Sequence, residues 1–190
     1  MLHRDSLSFL PSLLNDATIN HMMKLLIATN NSGKVREYRE LLQGLPFELV
    51  TLAQVGIRTT IAETGRTMRQ NAILKAAGYA ALSGLLTIAD DSGLEVDALA
   101  GVPGVRSARY AGSHASDADR VQYLLSKLKN VPEEKRTARF RCVIAIALPK
   151  GEVVTRSATC EGFIASAPRG EQGFGYDPVF FFPEHSQTMA

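Results

Sequence analysis

Asp90 and Asp91 are adjacent carboxylates that follow the apolar pair Ile88-Ala89 and precede Ser92-Gly93. Neither acid is cheap to bury unpaired, and Ser-Gly is turn chemistry. The sequence therefore predicts a strand that ends here and presents its acids at a sheet edge. Neighbours on an extended strand point to opposite faces, so the two acids cannot share one core. A divalent cation would relieve the cost, and hard oxygens of this kind suit Mg²⁺, commonly held by one or two carboxylates and the phosphates of a bound molecule. Taken alone, the dipeptide is better explained as a solvated turn capping a strand.

Other groups with possible chemistry stand on either side. Thr29-Asn30-Asn31-Ser32-Gly33-Lys34 separates an apolar run from Val35–Leu42, whose apolar residues recur at helical spacing. Thr29, Asn31 or Ser32 can cap that helix, and its free N–H groups with the positive end of its dipole form an anion site, to which Lys34 adds a charge. An ordinary cap with a solvated lysine accounts for the same residues about as well. Glu63 stands at the mouth of a second helix, where a carboxylate also suits the dipole. Asn71 and Lys75, four apart on that helix, share a face. Near the end, Gly173-Phe174-Gly175-Tyr176-Asp177-Pro178 sets an aromatic between glycines: a face for stacking a flat base, with Asp177 able to accept from base N–H groups. Read alone, it is a glycine-rich turn before a buried strand, anchored in the core by Phe174.

The elements that must position these groups alternate. A strand is predicted over 25–28, a helix over 35–42, a strand over 47–52 and a long Ala- and Leu-rich helix over 66–82 closed by Gly84. A separate alternating strand is predicted over 94–97. Ser116 to Asp119 is a capping box variant opening a helix to about Leu128. Strands over 142–148 and 152–160 are joined by Pro149-Lys150-Gly151 as a hairpin. The chain of 190 residues is 45% hydrophobic and 21% charged, which is material for one α/β domain with a full core. Residues 1–22 read as a disordered extension, or as a remnant upstream of a start at Met22-Met23, preceding a domain over 23–190. The formal charge of +2 gives no argument for nucleic acid or an anionic membrane as a partner. Cys142 and Cys160 are too few and too distant for a disulfide framework or zinc site, favouring a reducing, cytoplasmic setting and a place in core strands. The basic cluster Lys127, Lys129, Lys135, Arg136, Arg139 and Arg141 reads as a solvated surface, because the aromatic residues of an RNA-binding face are missing from it.

In order along the chain, Thr29-x-Asn31-x-x-Lys34, Glu63-Thr64-Gly65, Asp90-Asp91-Ser92-Gly93, Gly104-x-x-Ser107-Ala108-Arg109-Tyr110 and Gly173-Phe174-Gly175-Tyr176-Asp177-Pro178 resemble the motifs of the inosine/xanthosine triphosphate pyrophosphatases. The resemblance runs from Lys24 to the end. It implies an α/β fold with a long mixed β-sheet, flanking helices and two lobes around a central cleft, usually as a homodimer. It implies Mg²⁺-dependent hydrolysis of ITP, dITP or XTP to the monophosphate and pyrophosphate. By position, Thr29, Asn30, Asn31, Ser32, Gly33 and Lys34 would hold the triphosphate, with Lys75 also within reach of a phosphate. Glu63 and Asp91, with Asp90 beside them, would bind the metal. Asp91 would accept the proton of the attacking water, Ser92 would contact substrate, and Phe174, Gly175, Tyr176 and Asp177 would hold the base.

Two departures accompany the resemblance. Gln70 stands where the family usually has Glu, which removes a charge near the site. The family also continues to a lysine and a Ser-His-Arg signature that reads the purine, whereas this chain ends at Ala190, so the expectation is a domain truncated at its C-terminus with weakened base selectivity. Two other functions stay open on the sequence: a nucleotide-binding module with little turnover, and a nucleic-acid-binding protein using the 127–141 cluster.

Overall fold

The computed structural model describes residues 23–190, so the expectation for residues 1–22 lies outside the described residues. Strand β1 (Met23–Ile27) is an apolar run with its last three residues buried. A polar turn leads from it into helix α1 (Ser32–Leu41). Of the three candidate caps, Asn31 is the one used: its Oδ1 accepts from the N–H groups of Gly33 and Lys34 at 2.8 and 3.3 Å. Strand β2 (Phe47–Thr51) returns beside β1 in parallel register, Met23 opposite Phe47. Helix α2 (Met68–Ser83) begins two residues later than predicted, because Thr67 is the residue whose side chain takes the Gln70 N–H. Gly84, at φ +67°, ends it in the left-handed conformation that glycine adopts at no steric cost.

Strand β3 departs from the expectation. It runs unbroken from Leu86 to Val96, straight through Asp90-Asp91-Ser92-Gly93, so the predicted turn and the separate strand over 94–97 are one strand. Partners supply the reason. Glu95 and Val96 pair antiparallel with strand β4 (Val102–Pro103), and the Leu94 N–H donates to the Ser107 Oγ at 2.9 Å. Turn propensity yields where partners across the strand take up backbone groups in extended form.

Helix α3 (Asp117–Lys127) has the predicted capping box, with Ser116 and Asp119 bonding reciprocally. Strands β5 (Thr137–Ala147) and β6 (Val153–Ile164) are longer than predicted and adjoin through the turn at Pro149-Lys150-Gly151. The short strands β7 (Phe180–Phe182) and β8 (Gln187–Thr188) follow in antiparallel pairing. Among the described residues the order is β2-β1-β3-β5-β6-β7-β8, with β4 beside β3, a mixed sheet of eight strands as expected for the α/β class. No described helix is long and apolar enough to cross a membrane.

The described residues divide into two compact units, one holding residues 23–91 with Cys142–Ala158, the other Ser92–Arg141 with Thr159–Ala190. The first is built on Leu25, Ile27, Tyr38, Leu42, Phe47, Ile88, Ile144 and Ile146. The second is built on Leu94, Val96, Leu124, Leu128, Ile164, Tyr176, Val179 and Phe180. The basic cluster is less solvated than expected. Arg136 is buried and donates to the carbonyls of Val131 and Leu128, closing the end of α3. Arg139 bridges Asp97 and Glu161, and Arg141 pairs with Glu95. Neighbouring strands bring acids to these arginines from positions more than twenty residues away, which no local pattern reveals.

Candidate active site

In the first unit, the alternation of β3 sends Asp90 and Asp91 to different partners. Asp90 accepts from Lys34 of α1, Oδ2 to Nζ 2.5 Å, with the Cys142 Sγ 3.9 Å from the same oxygen. Burial by itself would raise the Asp90 carboxyl, and the Lys34 ammonium reverses this and holds it below the ordinary carboxylate range. Burial likewise works against the Lys34 ammonium, and the charge and hydrogen bond of Asp90 raise it above the ordinary lysine value. The pair is ionised on both sides. Tyr38, one helical turn beyond Lys34, is pushed well above its ordinary value by burial and then by the Asp90 charge.

Asp91 faces α2. Its Oδ2 accepts from the Asn71 Nδ2 at 3.0 Å, and its Oδ1 lies 3.9 Å from the Lys75 Nζ. Lys75 donates at 2.7 Å to the Glu63 Oε1. One ammonium therefore stands beside both predicted metal-binding carboxylates. Burial raises the Asp91 carboxyl, with Lys75 and Asn71 offsetting part of the effect and Glu63 adding to it. A carboxylate raised in this way is better suited to take a proton near neutral pH than an exposed one.

The second unit carries the Gly173–Asp177 turn. The Asp177 carboxylate accepts from the Phe174 N–H at 2.8 Å, and Gly173, at φ +76°, has no room for a Cβ, which would fall 2.2 Å from the Asp177 Oδ2. Asp117, first residue of α3, accepts from the Gly175 N–H at 2.7 Å. The Tyr176 hydroxyl donates to the Ser107 carbonyl at 3.0 Å. Phe174 is half-buried, and Tyr176 provides the core anchor in its place. Burial raises the Asp177 carboxyl. The turn is held by its own backbone and by Ser107 and Asp117.

The structure thus joins Lys34 to Asp90 and Glu63 to Asp91 through Lys75, while Asp90 has Lys34 as its partner and stands apart from the Glu63–Asp91 pair. Asn31 is engaged as a cap, and through it the Gly33 and Lys34 N–H groups are already satisfied. Thr29 takes the Asn31 N–H on its Oγ1. Ser92 is half-buried in β3. The roles of Tyr38, Ser107 and Asp117 escaped the sequence reading. For Tyr38 a signal existed, since Lys34 and Tyr38 are four apart on one helix face; the other two are brought in by tertiary contacts alone.

The donor set bears on the metal. Among the described residues no three His, Cys, Asp or Glu side chains cluster as a cation cage. Glu63 and Asp91 supply two hard carboxylates beside an ammonium, and one or two carboxylates with substrate phosphates is the set Mg²⁺ takes. The residues fit that ion.

Fold and site together define an α/β protein with two lysine–carboxylate groups, Lys34–Asp90 and Glu63–Lys75–Asp91. Residues 25–190 match the Ham1 family, and the chain belongs to that family. It is 52% identical over 168 residues to a dITP/XTP pyrophosphatase of Desulforamulus reducens, covering 88% of this chain and 84% of that protein. It is 47% identical over 169 residues to the dITP/XTP pyrophosphatase of Bacillus subtilis, covering 89% and 85%. The fold is similar to that of a HAM1 protein from Coxiella burnetii, with a TM-score of 0.80 at 42% identity over 89% of this chain and 86% of that one.

Proposed function

We propose that this protein hydrolyses non-standard purine nucleoside triphosphates, of the dITP and XTP type, to the monophosphate and pyrophosphate. The relatives carry that activity in their names, and the five motifs that suggested it lie within the matched residues. The observation that carries the reading is the Glu63–Lys75–Asp91 constellation, in which one ammonium lies 2.7 Å from the Glu63 carboxylate and 3.9 Å from the Asp91 carboxyl, itself raised by burial. Phosphoryl chemistry asks for positioning and charge neutralisation more than for a covalent intermediate, and these groups supply both.

Lys34 binds triphosphate oxygens. Its ammonium has three donors, one committed to Asp90, and that bond aims the others. Lys75 offers a second positive charge to the phosphates. Glu63 and Asp91 would hold Mg²⁺, which supplies charge neutralisation on the phosphates when bound. Asp91 orients the attacking water and takes its proton, and Ser92 contacts substrate. Thr29, Asn30, Asn31, Ser32 and Gly33 shape the turn that presents Lys34. The nucleobase goes to the Phe174–Asp177 turn, where stacking on Phe174 and polar contacts with Asp177 hold it. A homodimer in the cytoplasm, with no nucleic-acid or membrane partner, completes the reading.

The test is pyrophosphate release from dITP against dATP and dGTP, with and without Mg²⁺, in the parent and in Asp91→Asn. The amide keeps the volume and removes the charge and the proton acceptor, so turnover is expected to vanish while the protein stays folded. Retention of most activity at saturating Mg²⁺ would exclude Asp91 as the base. Nucleotide binding without turnover in the parent would favour the binding-module alternative.

A further inference from the structure

Asn71 is fully buried on α2, and its amide is spent at both ends. The Gly65 N–H donates to its Oδ1 at 2.8 Å, and its Nδ2 donates to the Asp91 Oδ2 at 3.0 Å. The amide orientation is not a free choice. A backbone N–H can meet only the carbonyl end, so the NH₂ end must face the carboxylate. Gly65 closes two residues after Glu63, so one side chain ties the loop that carries Glu63 to the strand that carries Asp91. The fit at the loop is close: a Cβ on Gly65 would fall 2.6 Å from the Asn71 Oδ1 and 2.7 Å from the Gln70 Cβ. Lys75, one turn further along the same face, engages the Oε1 of Glu63.

We infer that Asn71 is the positioning residue of the Glu63–Asp91 pair: its amide fixes the separation of the two carboxylates and occupies the Asp91 Oδ2, so that the oxygen presented on the Lys75 side is Oδ1. The inference rests on the reading of Glu63 and Asp91 as the metal-binding carboxylates. It assigns Asn71 no contact with substrate or metal. Outer partners that orient ligating carboxylates are worth about 10–100-fold in metal affinity when removed, and Asn71 orients two ligands at once.

The probe is Mn²⁺ alone, titrated into the nucleotide-free protein and followed by the loss of the free-ion electron paramagnetic resonance signal. The variants are Asn71→Leu, which fills the space without polar atoms, and Asn71→Ser, which leaves room for a water should the leucine variant fail to fold. Thermal melting identifies the folded variants. The expected result is Mn²⁺ affinity weakened about 10–100-fold in a folded variant, with the Mg²⁺ concentration for half-maximal pyrophosphate release raised in step. The KM for dITP at saturating Mg²⁺ should stay within about twofold of the parent, since ion orientation is what has been lost. Parent-like Mn²⁺ affinity in a folded variant would overturn the inference, as would equal losses in Mn²⁺ affinity and dITP KM, which mark general damage. Failure of the parent itself to bind Mn²⁺ would overturn the inference, because the two carboxylates by themselves would then hold no ion for Asn71 to orient; it leaves the proposed function to the Mg²⁺ dependence of turnover, and is told apart by occurring before any substitution.

Discussion

Lys34 and the buried Asp90 form a part-buried ion pair at 2.5 Å that links α1 to β3. Breaking such a pair from one side strands a charge in the interior. Lys34→Met should therefore destabilise the fold by about 3–5 kcal/mol, measured by urea unfolding at pH 7, and adding Asp90→Asn should recover a large part of that loss. If the single and double variants are equally unstable, the pair contributes through packing and not through charge.

The same pair sets the pH limits of the first unit. Asp90 titrates below its ordinary value in the folded state, so its contribution is present above the unfolded carboxyl value and fades as pH falls through the lowered folded one. Lys34 titrates above its ordinary value, so its contribution is complete below the unfolded lysine value and fades as pH rises through the raised folded one. The stability difference between the parent and Lys34→Met/Asp90→Asn should then be flat through the neutral range and shrink at both extremes. A difference that changes steadily between pH 6 and pH 8 would assign it to some other group.

Substrate discrimination can be separated from phosphate binding. Lys34→Ala should raise KM for every nucleoside triphosphate by a similar factor, because a phosphate contact carries no information about the base. A loss confined to one purine in steady-state kinetics would contradict the role given to Lys34.

Tyr176→Phe isolates one support of the aromatic turn. The hydroxyl is buried on the Ser107 carbonyl, so its removal takes a buried hydrogen bond from that acceptor and should cost about 0.5–1.5 kcal/mol in denaturant unfolding. Because Ser107 also receives the Leu94 N–H on its hydroxyl, the loss should be accompanied by faster amide exchange at Leu94. Unchanged exchange there would show that the two bonds act independently.

Cys142 gives a chemical probe of the first unit. Burial, then the Asp90 charge, pushes its thiol up to about 12. At pH 8 it should resist alkylation in the native protein and react on unfolding, when its value returns to the ordinary range. Rapid native labelling of Cys142, identified by peptide mass, would contradict its burial.

How far the sequence anticipated this arrangement depended on the range of the interaction. Helix caps at Gly84 and Ser116 were legible because their partners lie within four residues. Asp90 and Asp91 were legible as a chemical centre, but Ser92-Gly93 read as a turn, since the partners that keep the strand extended, β4 and Ser107, lie further along the chain. Asn71 and Lys75 were placed on one face by their spacing, yet nothing local shows that Asn71 reaches both Gly65 and Asp91. The arginines at 139 and 141 illustrate the same limit, with charge visible in composition and pairing visible only across strands.

The unbroken course of β3 has a consequence for how this chain can vary. Asp90 and Asp91 meet different neighbours because a strand alternates with a period of two, so the division of labour between them is a matter of parity. Exchanging one side chain for another leaves the parity intact. Inserting or deleting a single residue between Ile88 and Asp90 would turn each acid to the other's side, delivering one to the buried hydrophobic cluster around Tyr38 and the other away from Lys34 at a stroke. The segment should accept length changes only in pairs, and in descent it should drift by substitution while its length stays fixed.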